Sequence, residues 1–321
     1  MTLAASALRA LLSLGLAAAL AAPMSQNALL RDDLWRSFNA LPNTERPKLG
    51  LVLSAGSLRA TTHVGVIYAL ENAGFRFDVV TGTSMGAVLG SLYAGGLPIS
   101  KIWQEALKLH VGSGSNLDAL SLIRLLLADK LLSSAPTERF IHEQLGDKRF
   151  EDLPRRFACV AMDLYTGEAI VFREGDVGLA VRASMNLPGV FQPVEYRHRY
   201  LVDGGVVDYI PVDAARLLKA DWVLASVAEA DYTHARPTSV LQSLEQVIDI
   251  RGSLLSREQR KQANFVIEPP VGDIGSMEAN RIPEAIRKGV IAATRAAPKA
   301  QENLILFSMK ELMRGWLPEA Q

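Results

Sequence analysis

The chain has 321 residues, 49% of them hydrophobic, and its 34 basic and 34 acidic side chains cancel to a net charge of zero. That is ample apolar material for a large core, and the charge balance gives no electrostatic footprint for a nucleic-acid partner. The single cysteine, Cys159, excludes an internal disulfide and, inside the apolar run Phe157–Ala161, reads as a buried small hydrophobe rather than a reactive thiol.

The N-terminus does not read as fold. Arg9 precedes an apolar run, Ala10–Ala22, that closes on Ala19-Leu20-Ala21. A basic start, a short apolar core and an A-x-A site predict a secretory signal peptide over residues 1–22, and so a periplasmic or secreted protein. The run is shorter than the ~20 residues a membrane span needs. A cytoplasmic protein with an Ala/Leu-rich leading helix is the alternative. Residues 23–47 form a lead-in, with Leu30, Leu34, Trp35 and Phe38 at helical spacing, and residues 48–321 read as one α/β domain.

Leu49–Leu53 is an apolar run suited to a central parallel strand. A turn at Ser54–Ser57 leads into a helix pattern from Leu58 to Asn72, stopped by Gly74. A second strand starts at Val79, runs into Gly82-Thr83-Ser84-Met85-Gly86, and leaves as a small-residue helix. Strand, turn and helix in that order predict a parallel sheet with right-handed crossovers. Residues 97–150 read as mostly helical. Within them, after Gly112–Ser115, lies the strongly apolar Leu117–Leu132, read as a helical layer over the sheet or as a mobile cap over a cleft.

Farther along, Phe157–Met162 and Ala169–Phe172 form a hairpin about Thr166-Gly167, and Gly178–Met185 is a helix. Arg155-Arg156 and Arg197-His198-Arg199 read as solvated basic faces. Tyr200–Val202 is a short strand entering Asp203-Gly204-Gly205. A helix over Val212–Ala220, a strand at Trp222–Val227, a long helix over 238–262 and a strand at Phe265–Ile267 follow. Pro283 opens the terminal helices. Their apolar stripe (Leu304–Phe307, Met309, Leu312, Met313, Trp316) packs on its own domain or lies in a membrane interface.

Gly82–Gly86 matches G-x-S-x-G. On a tight strand-to-helix turn this pattern presents Ser84 in a strained conformation, and the flanking Gly82 and Gly86 leave room where a Cβ would strike a neighbouring element. The Met85 amide and the helix N-terminus then face any oxyanion forming beside Ser84. Ser84 needs a base. An order of serine, acid, histidine leaves His198 or His234. Asp203, ending a short strand beside Gly204, is the alternative as a directly acting carboxylate, since burial makes an aspartate a better proton acceptor.

Five blocks carry a family likeness: Leu53–Ala60 with His63–Val66, then Gly82–Gly86, Asp163–Glu168, Ala183–Pro193, and Val202–Gly205 with Pro211-Val212. In that order, over about residues 48–227, the chain resembles the patatin-like phospholipases. The resemblance implies a three-layer α/β/α sandwich with a mainly parallel sheet. It implies a lipid acyl hydrolase with Ser84 as nucleophile and Asp203 as its partner, working without metal or cofactor. An oxyanion site at the amides of Gly56, Ser57 and Met85 is implied, with Arg59 bracing the turn or meeting a headgroup. The substrate would be a phospholipid or other acyl ester, met in contact with a membrane surface.

One block departs from the family's glycine run. Its positions read Ala55, Gly56, Ser57, Leu58, Arg59 and Ala60. If these need positive φ, Ala and Ser each cost about 1 kcal/mol. A turn that collapsed under that strain would leave a weak enzyme or an inactive lipid- or protein-binding scaffold, which is the second expectation.

Overall fold

The structure, a computed structural model, describes residues 28–111, 131–233, 240–276 and 278–314. The expected signal peptide, His234, the side chain of His110 and most of Leu117–Leu132 lie outside the described residues. The chain divides into two compact units, Pro47–Ala296 and Met1–Arg46 with Ala297–Gln321. In the smaller unit, helix α1 (Ala28–Ala40) buries Leu34, Trp35 and Phe38, with the two rings stacked 5.3 Å apart. Leu304, Ile305 and Leu312 are buried as well, whereas Leu306 and Phe307 are exposed.

The larger unit is built on an eight-stranded sheet with the order β5-β6-β3-β2-β1-β7-β8, and β4 added against β3. The strands are β1 (Leu49–Leu53), β2 (Val79–Thr83), β3 (Arg156–Asp163), β4 (Ala169–Phe172), β5 (Val194–Tyr196), β6 (Arg199–Asp203), β7 (Trp222–Ser226) and β8 (Phe265–Ile267). β1, β2, β3, β7 and β8 run parallel, whereas β4, β5 and β6 are antiparallel additions. β1, β2 and β7 are buried at every residue, as strands covered on both faces must be, which is why they read as continuous apolar runs. The mainly parallel α/β architecture is the expected one.

The remaining helices are α2 (Thr62–Asn72), α3 (Met85–Ala94), α4 (Ile99–Val111), α5 (Ala135–Leu145), α6 (Val177–Ser184), α7 (Val212–Leu217), α8 (Val240–Gln262), α9 (Ile282–Phe307) and α10 (Met309–Arg314). Among the described residues no helix is long and apolar enough to cross a membrane. Cys159 is free and buried, and burial pushes its thiol well above the usual range.

Three local readings change. The helix expected from Leu58 opens as a 3-10 turn, Ser57–Thr61, before α2 begins. β5 is an additional strand, joined to β6 through Arg197 and His198, both at positive φ (47° and 63°) as a two-residue hairpin turn demands. The basic runs are not simply solvated: Arg155 lies 4.3 Å from the centre of the Tyr93 ring and donates to the Tyr93 carbonyl, and Arg199 pairs with Asp163 and Glu168.

The register of β3 places the site. On one edge, β4 pairs with Cys159–Met162. On the other, β2 runs parallel as far as Thr83 opposite Val160, and β6 comes antiparallel from the opposite direction to end with Asp203 opposite Ala161. Two strands therefore meet end to end on one edge of a third.

Candidate active site

Ser84 stands where β2 ends and α3 begins, at φ 58° and ψ −125°. A Cβ on Gly82 would overlap the Gly86 carbonyl, and one on Gly86 would overlap the carbonyls of Leu53 and Ser54. The two glycines are therefore required by close approach of backbone. Ser84 is 7% exposed and Asp203 6% exposed, so both are nearly withdrawn from water.

The Ser84 hydroxyl is near enough to the Asp203 carboxylate to favour its ionised form, and Asp203 Oδ1 accepts the Gly205 N–H at 2.7 Å. Burial pushes the Asp203 carboxyl up to about 6, against the Ser84 hydroxyl and the Gly205 N–H, which lower it. A raised value makes its anion a stronger base than a solvated aspartate. Gly204 packs against the Val160 carbonyl so closely that no Cβ fits.

The turn Ala55–Ala60 holds its shape despite its departure from a glycine run. Gly56 takes φ 152° and lies against the Ala228 carbonyl, where a Cβ would collide. Ser57 accepts a left-handed φ of 49°, and Ala55 needs no positive φ, so one position of the two carries strain. The turn is pinned at both ends. The Ala55 N–H donates to the Tyr209 carbonyl at 3.0 Å, and the Leu58 N–H to the Ser276 carbonyl at 3.2 Å. Between these anchors, the N–H groups of Gly56 and Ser57 have no backbone acceptor among the described residues, and neither has that of Met85 in the first turn of α3. Backbone donors without a backbone acceptor are the kind an oxyanion site uses.

Arg59 is a brace rather than a headgroup contact. It is fully buried and paired with Asp249 of α8, and its charge acts on the Tyr209 hydroxyl nearby. Of the two histidine alternatives, only His198 lies among the described residues, and it does not partner Ser84. His198 sits in the β5–β6 turn at the far end of β6 from Asp203, and residue 234 is outside the described set. His63, quoted with the first block, is buried between the Ser226 hydroxyl and the Ser54 carbonyl, and burial holds it down to about 4, hence neutral.

Among the described residues, one group has atoms close enough to share a cation: Glu138, His142 and Asp176, all within 4.8 Å of one another. Its members have other work. Asp176 caps α6 by accepting the Leu179 N–H, and Glu138 pairs with Arg182. Sequence reasoning assigned no role to Ser184, Asn186, Tyr209 or Asp249. Only the first two lie in a quoted block, Ala183–Pro193, where a polar pair just before Pro188 was the available signal.

The family model "Patatin-like phospholipase" matches residues 51–216, just over half of the chain. An uncharacterized NTE family protein of Mycobacterium tuberculosis is 28% identical over 282 residues, covering 80% of this chain and 47% of that protein. Lysophospholipase nte1 of Emericella nidulans is 34% identical over 177 residues, 55% of this chain and 12% of that protein. Patatin-like phospholipase domain-containing protein 6 of Mus musculus is 34% identical over 179 residues, 55% of this chain and 13% of that one. The chain spans about half the length, or less, of the curated relatives it matches. Among solved structures, VipD from Legionella pneumophila aligns with a TM-score of 0.45 at 15% identity, covering 80% of this chain and 67% of that one. The matched model spans the Ala55–Ala60 turn, the elbow and the Asp203 strand in that order, more than half of the chain, and on that ground the chain belongs to the patatin-like phospholipase family.

Proposed function

We propose that the chain is a serine acyl hydrolase of lipid esters, of phospholipase or lysophospholipase type, working through a Ser84–Asp203 dyad. The observation that carries this reading is a nearly buried serine at a strained strand-to-helix turn, brought beside a buried carboxylate where two strands meet end to end on β3. Asp203 takes the Ser84 proton as Oγ attacks the ester carbonyl. The oxyanion is held by the N–H groups of Gly56, Ser57 and Met85. Collapse expels the alcohol, which leaves with the proton from Asp203, and an acyl-Ser84 remains. Water then attacks the acyl carbonyl, giving its proton to Asp203, and the proton returns to Ser84 as the fatty acid departs. No step requires a metal.

The printed names of two relatives, a lysophospholipase and a patatin-like phospholipase domain protein, support the substrate class. Contact with a lipid surface belongs to the same proposal. Leu164 and Tyr165, just beyond the end of β3, and Tyr200, within β6, are exposed. Residues 1–22 are proposed as an export signal, checked by N-terminal sequencing of the mature protein.

The test is labelling by a fluorescent fluorophosphonate. The wild type should label and Ser84→Ala should not. If neither labels, the strained Ser57 turn has silenced the site, and a lipid- or protein-binding scaffold becomes the better description.

A further inference from the structure

The junction where β2 and β6 meet leaves a gap in the hydrogen-bond ladder of β3, and a side chain fills it. Val160 pairs with Thr83, and a continued parallel ladder would join the Ser84 N–H to the Val160 carbonyl. Ser84 turns out of the strand at φ 58°, so that bond is not made directly. Instead the Ser184 hydroxyl donates to the Val160 carbonyl at 2.6 Å and accepts the Ser84 N–H at 3.0 Å. Ser184 is completely buried at the C-terminal end of α6. Two residues later, the Asn186 carbonyl accepts the Asp203 N–H at 3.0 Å. Asn186 is itself fixed, its Nδ2 donating to the Gln192 carbonyl at 2.8 Å.

One tripeptide, Ser184-Met185-Asn186, therefore holds the backbone N–H of both Ser84 and Asp203. We infer that Ser184 is a positioning residue that sets the strained turn at Ser84, and with Asn186 the distance between the Ser84 and Asp203 side chains. The inference rests on the dyad proposed above and names what keeps it in register. The physical logic is simple. A nucleophile at an unfavourable φ stays there only if its surroundings over-determine it. Glycines at 82 and 86 permit the turn, but they do not hold it. The Ser184 hydroxyl supplies an acceptor for the one Ser84 backbone donor that the turn removes from the ladder. Misplacement of a reacting group by about 1 Å costs on the order of 100-fold in rate.

The test compares Ser184→Ala with Ser91→Ala by fluorophosphonate labelling rate, pH profile and melting temperature. Ser91 is an equally buried serine whose hydroxyl donates to the Val88 carbonyl at 2.8 Å, so it reports the cost of losing a buried hydroxyl alone. Ser184→Ala should label 10- to 100-fold more slowly, while Ser91→Ala labels at the wild-type rate. The nearby Ser84 hydroxyl lowers the Asp203 carboxyl, so moving the two side chains apart should also shift the apparent pKa of labelling upward. A merely structural role would leave the pH profile where it is. Should Ser184→Ala fail to fold, Ser184→Cys retains a weaker donor and is expected to label at an intermediate rate with the same upward shift. A labelling wild type with an equally reactive Ser184→Ala, or a loss that only follows the folded fraction, overturns the positioning role alone. A wild type that does not label overturns the hydrolase reading and this inference together.

Discussion

Thr83 and Asp203 end two strands that point at each other along one edge of β3, opposite the adjacent residues Val160 and Ala161. The parallel strand delivers Ser84 at its tip and the antiparallel one delivers Asp203. Neither needs a long loop to reach the other, so the pair is held by sheet geometry. Because the register is fixed on both sides by paired neighbours, side-chain separation has little freedom to drift. Such an arrangement suits a serine and a carboxylate that act on each other directly.

Replacing Asp203 by Asn should move activity and stability in opposite directions. Loss of the base should lower labelling and esterase rates by ~100-fold or more. The carboxyl sits near 6 when folded, against an ordinary 3.8, because of burial. A raised folded value stabilises the protein most below the ordinary carboxylate range, and that contribution is lost as pH rises through 6. Above that pH the ionised group costs on the order of 3 kcal/mol. Asp203→Asn removes that cost, so its melting temperature should exceed the wild type's at pH 7.5 and approach it at pH 4. Equal melting temperatures at pH 7.5 would mean the carboxylate is better solvated than its burial implies.

The same carboxyl sets the pH dependence. The base must be ionised to accept the Ser84 proton, so kcat/KM on a soluble short-chain ester should climb with pH and level off above about 6. His63 is held neutral far below that range and is not close to Ser84 in the hydrogen-bond network, so His63→Asn should leave the midpoint in place. A midpoint that follows His63 would point to a different base.

The oxyanion turn makes a prediction about two neighbours with opposite tolerances. At Gly56, positive φ and the Ala228 carbonyl both exclude a side chain, so Gly56→Ala should abolish labelling and lower the melting temperature. At Ser57 the left-handed φ costs about 1 kcal/mol, but glycine loses a similar amount of unfolded-chain entropy on folding. Ser57→Gly should therefore stay within a few degrees of wild type and keep its labelling rate. If it labels much faster, the serine is what restrains the native site.

The contrast between those positions explains how much the sequence could say. Strands buried on both faces, such as Leu49–Leu53 and Trp222–Ser226, announce themselves because every residue must be apolar or small. The elbow is legible because its glycines answer a local steric demand. β5 was not, since three residues with an exposed Glu195 carry too little pattern, and its turn uses Arg197-His198 where a glycine would have signalled it. Whether Ala55–Ala60 survives its substitutions depends on anchors at Tyr209 and Ser276, more than 150 residues away. The Ser184–Asn186 clamp exists only through the register of β3. Contacts of that range leave no local periodicity.

Arg59 supplies the last case. It reaches Asp249 from 190 residues away, is fully buried, and keeps Nε without an acceptor. Breaking a buried pair from one side strands a charge and costs roughly 3–5 kcal/mol, whereas replacing both partners by apolar groups is often close to neutral. Asp249→Leu should therefore lower the melting temperature sharply, and Arg59→Met with Asp249→Leu should recover most of the loss. Labelling separates the two roles of the pair. If Arg59 only fills the core, the double variant should react like wild type. If its charge also fixes the turn through Tyr209, whose backbone carbonyl holds the Ala55 N–H, the double variant should fold well and still label slowly. The second result is expected, because the turn keeps a strained Ser57 only while both of its ends are pinned.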